Sequence, residues 1–215
     1  MKRALMAAAL FAVTLALSVG VGTAAAGGGN SDAAKACQQG GWQTLVRQDG
    51  TGFKNTGDCV SYSAQGGGLV PTGSHFITFS EFPVGTSITT QYGSEGVVFS
   101  GTPGPFISPD ASNPTAPVLS PGAGFMGTLI MEFVSPADGT TPASVSSVEF
   151  DIGFMNILGG ATISTYDIDG NLLATFATTQ LGIEHVSLSG PIHRIVVVTT
   201  SDPFGAAIDN LGFTF

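Results

Sequence analysis

Hydrophobic and polar residues alternate with a period of two along most of the chain after residue 73. The segments 76–81, 148–154 and 163–166 place apolar and polar side chains on opposite faces, while 192–198 is mostly apolar. A period of two indicates β-strands with one buried face, and a mostly apolar run indicates burial on both faces. No segment there combines a helical period with helix caps. We predict an all-β domain of roughly nine or ten strands, at about 76–81, 87–92, 96–100, 127–134, 145–155, 161–167, 171–178, 183–189, 192–200 and 206–215.

The stretch 101–125 is the longest irregular segment of this domain. It contains six prolines with glycines between them. Because proline cannot donate a ladder hydrogen bond, we expect no central strand there. A long ordered loop in a compact domain is either a binding loop or a mobile connection.

Charge is scarce in this chain and nearly all of it is negative. Only 10% of the residues are charged, and the formal net charge is −9. After residue 73, Arg194 is the only Lys or Arg against twelve carboxylates. Such a domain repels anionic polymers, so we expect no nucleic-acid partner. A chain that is 43% hydrophobic also lacks the composition of a disordered protein.

The N-terminus has the parts of a secretory signal peptide. Lys2 and Arg3 precede an apolar run at 4–21, and small residues at 24–26 supply a cleavage site. The alternative is an uncleaved anchor, because the run is nearly long enough to span a bilayer. We predict cleavage after residue 26 and a secreted, extracellular protein with no membrane partner once the signal is removed.

Cys37 and Cys59 are the only cysteines. In an exported chain such a pair predicts a disulfide, which closes a loop worth about 3 kcal/mol in the chain-entropy model. A reactive or metal-binding pair is the alternative, but no histidine in this segment completes a zinc site. We expect a disulfide-closed motif with a Gly-rich linker at 27–73 and a β-domain at 74–215.

The residues around the two cysteines resemble a short motif of bacterial exported proteins. It consists of Cys-x-x-Gly-Gly-Trp at 37–42 and Phe-Lys-Asn-x-Gly-x-Cys-Val-Ser-Tyr at 53–62. The aromatic residues Trp42, Phe53 and Tyr62 form either the small core of a disulfide knot or a binding platform. A unit of this size needs its disulfide to stay folded.

The sequence Asp-Ile-Asp-Gly-Asn at 167–171 allows two interpretations. An Asp-Gly between two alternating runs is typical of a β-hairpin turn. The same spacing of acids resembles the start of a calcium loop, but Thr178 stands where that loop needs its bidentate acid. The hairpin turn is the better interpretation.

Three segments resemble exported bacterial β-sandwich domains that are common in proteins with a PEP C-terminal sorting tail. The opening is Ile-Thr-Phe-Ser-Glu-Phe-Pro-Val-Gly-Thr at 77–86, followed by Gln-Tyr at 91–92 and Gly-Val-Val-Phe-Ser at 96–100. The middle is Val-Glu-Phe-Asp-Ile-Gly-Phe at 148–154 with Ala-Thr-Ile-Ser-Thr-Tyr-Asp-Ile-Asp-Gly-Asn at 161–171, and the end is Phe-Gly-Ala-Ala-Ile-Asp-Asn-Leu-Gly-Phe at 204–213. They are also similar to jelly-roll, galactose-binding-like carbohydrate-binding modules. The resemblance implies an antiparallel, jelly-roll-like β-sandwich and a polysaccharide or cell-surface partner. The sorting tail is absent, so we expect no surface anchoring.

The resemblance to carbohydrate-binding jelly rolls also implies a structural calcium ion. The matching positions are Glu81, at the end of the first predicted strand, and Asp209, in the last strand. Two carboxylates need carbonyl oxygens beside them to satisfy calcium. The alternative is a solvated Glu81 and an Asp209 that caps a turn.

Candidate ligand-binding residues are few. Sugar sites use aromatic side chains beside a few fixed polar groups, and the β-domain has no Trp and only Tyr92 and Tyr166 as tyrosines. We name these two as candidate ligand-binding residues, although their small number argues against a sugar site.

No sequence signature of an enzyme occurs in this chain. There is no Gly-x-Ser-x-Gly, His-Glu-x-x-His or P-loop motif. Candidates for a carboxylate pair of a glycosidase exist by residue type alone, namely Glu132, Glu149, Asp151 and Glu184. The leading hypothesis is a secreted, non-catalytic β-sandwich that binds carbohydrate or another extracellular surface. A structural or matrix protein is the alternative, and a glycoside-acting hydrolase ranks below both.

Overall fold

The computed structural model describes residues 31–47, 50–109, 116–199 and 201–215. The predicted signal peptide lies outside these residues. Helices α1 and α2 span Ser31–Ala36 and Thr56–Ala64. The strands are β1 Leu45–Arg47, β2 Leu69–Pro71, β3 Ser74–Ile77, β4 Val97–Thr102, β5 Phe106–Ser108, β6 Val118–Ser120, β7 Thr128–Phe133, β8 Val145–Met155, β9 Ala161–Tyr166, β10 Leu172–Ala177, β11 Gly182–Ile192, β12 Arg194–Thr199 and β13 Ala207–Thr214.

Two sheets form the sandwich, and a separate two-stranded sheet pairs β1 with β2. The five-stranded sheet has the order β10-β9-β12-β7-β4. The six-stranded sheet has the order β11-β8-β13-β6-β5, and β3 also pairs with β13. Every strand pair in the described residues is antiparallel. The predicted all-β, antiparallel sandwich is therefore confirmed.

The alternating pattern in the sequence separates the core from the outer faces of the sheets. In β8, Val148, Phe150 and Ile152 are buried, while Glu149 and Asp151 lie on the outer face. Each fully buried side chain of this size stabilises the fold by about 1.5–3 kcal/mol relative to an exposed one. The summed burial along many short strands holds the two sheets together.

The predicted strand at 87–92 is wrong. This segment and the residue before it form a loop. Its backbone makes single hydrogen bonds to β5 and β4, the edge strands of the two sheets. The N–H of Ile107 donates to Thr86 O at 2.9 Å, and the N–H of Phe99 donates to Thr89 O at 2.7 Å. The side chains there are used for local bonds instead of a ladder: Gln91 Oε1 accepts from the N–H of Thr89.

The expectation of no central strand within 101–125 is also wrong: β5 and β6 lie there, and β6 is flanked by β13 and β5. The prolines flank these strands instead of interrupting them: Pro105 and Pro109 bracket β5, and Pro117 and Pro121 bracket β6. The pairing of Ile208 with Leu119 brings β6 beside β13, well inside the sheet. Three-residue strands are too short for alternation to predict.

The disulfide between Cys37 and Cys59 is confirmed, with a Cα–Cα distance of 5.7 Å. Both sulfurs are buried beside Phe53, and Trp42 and Tyr62 pack against this small cluster. Helix α2 was not expected; Asn55 caps it by accepting the N–H of Asp58 at 2.9 Å.

The N-terminal unit packs on the sandwich. Val46 of β1 and Val70 of β2 belong to the same buried cluster as the sandwich core. Arg47 binds both oxygens of Asp58 at 2.8 Å and lies over the ring of Phe53, 4.7 Å from its centroid. This ion pair joins the short sheet to α2.

The hairpin predicted at 167–171 connects β9 to β10. Asp167 Oδ1 accepts the N–H of Asn171 at 2.8 Å, and Gly170 takes the left-handed conformation that the turn requires, with φ of 84°. The side-chain hydrogen bond from Asn171 is the main cause that lowers the pKa of Asp167. Its carboxylate therefore stabilises the turn.

Candidate functional site

An open cleft with aromatic walls lies at one end of the sandwich. Three loops form it: the turn before β7, the end of β8 and the turn before β13. Its volume is about 580 Å³. We call it the Phe154 cleft; it is lined by Gly124, Phe125, Gly153, Phe154, Asn156, Pro203, Phe204 and Gly205. No charged side chain is among these residues.

Two phenylalanine side chains at the Phe154 cleft are exposed to solvent. Phe204 is 68% exposed and Phe154 is 46% exposed. Phe154 lies beside Gly182, where a methyl group in place of the glycine hydrogen would be 3.7 Å from the ring. Both rings line the same cleft, and adjacent exposed apolar side chains rimmed by polar residues are typical of binding surfaces.

Glycine makes the close approach of the cleft loops possible. A Cβ on Gly205 would lie 2.1 Å from the carbonyl oxygen of Phe125, so only glycine fits there. Phe125 itself has φ of +60°, an unfavourable conformation for a residue with a bulky side chain. Its carbonyl accepts the N–H of Ala206 at 2.9 Å and the hydroxyl of Thr199 at 3.3 Å. Strained residues that their surroundings hold in place often mark functional sites.

Asp202 holds two walls of the Phe154 cleft together. It is fully buried, and its carboxylate accepts the backbone N–H groups of Asn156 and Phe204, the latter at 3.0 Å. Burial opposes its ionisation, but these N–H donors outweigh burial and lower the pKa of Asp202. The carboxylate is therefore charged at neutral pH and acts as a positioning residue for both loops.

Asn156 supplies the polar side chain of the cleft. Its Nδ2 donates to Phe154 O at 3.1 Å and to Asp202 Oδ1 at 3.3 Å. These two bonds fix the amide so that Oδ1 remains an acceptor for which the described residues provide no donor. An oriented amide beside aromatic rings suits a ligand with both C–H faces and hydroxyl or N–H groups.

A second, shallower depression of about 370 Å³ lies on the outer face of the six-stranded sheet. We call it the Phe76 groove. Gly212 forms its floor, with Glu149 on one side and Phe76, which is 60% exposed, on the other. Phe76 is its one exposed phenylalanine ring, because Phe213, which also lines it, is buried in the core.

Tyr92, a candidate ligand-binding residue, lies in the core and not on a surface. It is only 3% exposed, and rings of Phe79, Phe82 and Phe99 pack against it. Its hydroxyl donates to Glu81 Oε2 at 2.8 Å. Burial and this bond to a carboxylate raise the pKa of Tyr92. Its ring is closed to a ligand, and we do not include it in the proposed site.

Tyr166 lies on the outer face of the five-stranded sheet, half-buried. The guanidinium carbon of Arg194 sits over the ring, 4.5 Å from its centroid, so one face is occupied. Tyr166 is the last residue of β9, and it is the opposite end of this strand, at Gly160, that lies beside Asp202. Tyr166 is therefore at the end of β9 that points away from the Phe154 cleft. The two tyrosines are therefore not brought together with the cleft, and a ligand role for Tyr166 stays a prediction.

The two acids expected to hold calcium have other partners. Glu81 accepts from Tyr92 and from the backbone N–H and hydroxyl of Thr78. Burial opposes its ionisation, but these hydrogen bonds prevail and lower the pKa of Glu81. Asp209 is fully buried in β13, and its Oδ1 accepts the N–H of Asn210 at 2.8 Å.

These contacts do not fit a ready calcium site, because calcium needs several free oxygen ligands. Within the described residues, no group of three or more His, Cys, Asp or Glu side chains is arranged to hold a metal ion. Calcium binding therefore stays a prediction.

The four carboxylates considered for glycosidase chemistry do not share one cleft. Glu149 and Asp151 lie on the outer face of the six-stranded sheet, where His185 Nδ1 is 2.8 Å from Asp151 Oδ1. Glu132 is on β7 of the other sheet. Glu184 is buried and accepts from the backbone of Thr179 and Gln180.

The sequence contained a signal for the cleft that periodicity does not detect. Phe204 stands between Pro203 and Gly205. A large aromatic residue next to turn-forming residues has little chance of burial in a strand-based core. The sequence alone therefore makes such an isolated ring a candidate for binding.

Phe154 carried no such signal. The alternation at 148–154 predicts it on the buried face. Strand β8 changes phase at its end, where Gly153 and Met155 are buried and Phe154 is exposed.

No family model matches the chain, and no curated protein matches it. Among solved structures, the K2 cleaved adhesin domain of Lys-gingipain matches at TM-score 0.44 and 6% identity, over 66% of this chain and 98% of that chain. A Clostridium perfringens carbohydrate-binding module in complex with GlcNAc-α-1,4-galactose matches at TM-score 0.34 and 16% identity, over 63% and 99%. A low-affinity xylan-binding module from Roseburia intestinalis matches at TM-score 0.32 and 10% identity, over 66% and 95%. These values fix neither the family nor the ligand of this chain.

In the part of the chain that the structure describes, none of the helices has the length and apolar character needed to cross a membrane.

Proposed function

We propose that the protein is a secreted, non-catalytic β-sandwich that binds carbohydrate in the Phe154 cleft. The observation that carries the proposal is the pair of exposed rings, Phe154 and Phe204, on a glycine floor beside the oriented amide of Asn156. A sugar ring has apolar C–H faces and polar edges, and this combination matches both. The cleft volume lies within the range of roughly 300–1,000 Å³ that is usual for small-ligand sites.

Charge narrows the class of carbohydrate. No acidic or basic side chain lines the cleft, and the domain around it has Arg194 against twelve carboxylates. Uronic acids and sulfated sugars are repelled by such a field and find no cation to bind. Neutral polysaccharides are therefore the proposed ligands.

Export is part of the proposal. The Cys37–Cys59 disulfide is typical of proteins that fold in an oxidising compartment. Secretion with cleavage of the signal is checked by N-terminal sequencing of the protein from the culture medium, which we expect to begin at Gly27. A chain that stays with the cells and begins at Met1 or Lys2 contradicts export.

Co-sedimentation tests the binding function. The protein is mixed with insoluble cellulose, chitin, xylan, a crosslinked polygalacturonate and bacterial cell walls. We expect selective pelleting with a neutral polymer and none with polygalacturonate. The double variant F154A/F204A is expected to stay in the supernatant.

Phe76→Ala is the matched control, because it removes an equally exposed ring from the other depression. It is expected to pellet like the parent protein. Failure of every polymer to pellet the protein, or equal pelleting of F154A/F204A, overturns the proposal. Loss of pelleting in F76A alone moves the site to the Phe76 groove.

A further inference from the structure

The free edges of the two sheets are protected in different ways. Backbone groups of 85–89 bond to β4 and β5 at their outer margins, for example Gly85 N–H to Ile107 O at 2.8 Å. Strand β3 is only four residues long. Strand β11 contains Pro191 and register shifts. Short edges, bulges, proline and coverage are the usual means that prevent strands of different molecules from pairing.

The edge of β10 lacks most of this protection. It pairs with β9 on one side only, and no described residue covers the other side. Its sequence, Leu-Leu-Ala-Thr-Phe-Ala, has no charge and no proline, and Leu172 and Leu173 are 58% and 43% exposed. One register shift lies between Leu172 and Ala174, so the regular free edge begins at Ala174. An open, uncharged, apolar edge is a template for a further strand.

We propose that two copies of this chain pair along β10 in an antiparallel arrangement around a two-fold axis at Thr175. The strand that pairs with β10 comes from a second copy of this chain, because β10 of that copy is the same uncharged, unpaired edge. The other sheet edges of the copy are covered, short, or interrupted by proline and register shifts. No carboxylate lies within β10, so pairing here avoids direct contact between charges of two molecules that each carry a net charge of −9. A two-fold pairing uses both open edges and therefore stops at two chains.

The side chains of β10 are self-complementary in this register. With Thr175 on the axis, Ala174 of one chain lies opposite Phe176 of the other, twice. Phe176 is partly buried against the sandwich core next to Ile163, so the partner's small Ala174 leaves room for the ring. The two Thr175 side chains meet across the axis, each with its Oγ1 2.9 Å from Ser164 Oγ of its own β9, and a Thr–Thr pair is a favourable cross-strand pair.

Pairing along the regular part of β10, residues 174–177, makes a small interface of the weak class. Association is therefore expected at micromolar and higher concentrations. The measurement is the molar mass of the purified protein by sedimentation equilibrium, from low micromolar to millimolar concentration. We expect the mass to rise from one chain to two and to level off there.

The test variant is Thr175→Lys, which places two like charges opposite each other on the axis. It is expected to remain at the mass of one chain over the whole range, with an unchanged far-UV circular dichroism spectrum. Ser189→Lys, an exposed position on the edge strand β11, is the matched control and is expected to pair like the parent.

Three results overturn the proposal. They are a parent protein that stays at one chain at every concentration, a T175K protein that still reaches two chains, and a mass that keeps rising beyond two. If T175K loses its β-sheet spectrum, Thr175→Cys replaces it. Air oxidation of T175C must then give a disulfide-linked pair, which Ser189→Cys must not; equal amounts from both variants contradict the register.

Discussion

At the scale of single residues, Asp202 determines the shape of the Phe154 cleft. Its buried carboxylate receives N–H groups from both loops that carry the exposed rings. Hydrogen bonds to a charged group contribute about 1.5–3 kcal/mol each to stability. If the carboxylate loses its charge, the two N–H groups keep only a weaker, neutral acceptor.

The first prediction concerns Asp202→Asn. We expect the free energy of unfolding to fall by about 1–3 kcal/mol, measured by urea denaturation. Asp169→Asn, an exposed acid in the turn before β10, is the control and should change stability little. Equal stability of D202N and the parent contradicts the positioning role.

The same residue predicts a pH dependence. The pKa of Asp202 is lowered in the fold, so its stabilising contribution is complete above the unfolded-state value of about 3.9 and is lost as the pH falls through the folded value. The stability difference between the parent and D202N should therefore be constant from neutral pH to about pH 5 and shrink at lower pH. A difference that grows on acidification would exclude this role of the carboxylate.

Tyr92 is buried and hydrogen-bonds the exposed residue Glu81, which explains why sequence reasoning misplaced this tyrosine. Both tyrosines of the β-domain have a polar hydroxyl, and the pattern does not show which one has a buried acceptor. The buried Tyr92 donates its hydroxyl to Glu81 at the edge of the core, whereas Tyr166 is half-buried on the outer face of its sheet.

We predict that Tyr92→Phe lowers the free energy of unfolding by about 1 kcal/mol, because a buried hydrogen bond is removed and Glu81 loses a donor. Tyr166→Phe should leave it unchanged within error. Thermal unfolding of both variants in the same buffer makes the comparison. An equal loss in both, or none in Y92F, contradicts the assignment of the Tyr92 hydroxyl bond.

At the scale of elements, the long strands were predictable and the short ones were not. Strands β8 and β12 contain enough residues for alternation to be visible, and they appear within one or two residues of the expected ranges. Strands β5 and β6 have three residues each and are defined by their neighbours β13 and 85–89. Tertiary contacts decide such segments, and local pattern does not contain that information.

The loops of the cleft give the prediction at this scale. Gly205 and Gly170 both have positive φ, at 76° and 84°, but only Gly205 has a backbone atom where a Cβ would be placed. Gly205→Ala should therefore displace the loop around Phe125 and weaken carbohydrate binding. Gly170→Ala introduces only the strain of an alanine at positive φ, with no steric clash, and is the control.

Calorimetric titration with a soluble fragment of the polysaccharide that pellets the protein compares the two variants. The expected result is at least a tenfold lower affinity for G205A, about 1.4 kcal/mol, and unchanged affinity for G170A. Similar affinity for both variants would show that the close approach of Gly205 to Phe125 is not needed for binding.

At the scale of the whole molecule, the sandwich, the disulfide and the scarcity of positive charge were accessible from the sequence, since each depends on composition or period. The Phe154 cleft was not, because Phe125 and Phe204 lie in two loops and Phe154 at the end of β8, far apart in the chain. Their meeting depends on the order of strands in the sheets, which the pattern of residues does not specify. Tyr92 and Tyr166 were candidates by residue type alone, because the sequence does not show which aromatic side chains the fold leaves exposed.

The central claim is that exposed rings at one end of the sandwich hold a neutral carbohydrate. The most direct measurement is calorimetric titration of the soluble fragment into the parent, F154A, F204A and F76A. The account predicts at least a tenfold loss of affinity in F154A and in F204A, with F76A equal to the parent. Full affinity in both cleft variants would contradict it.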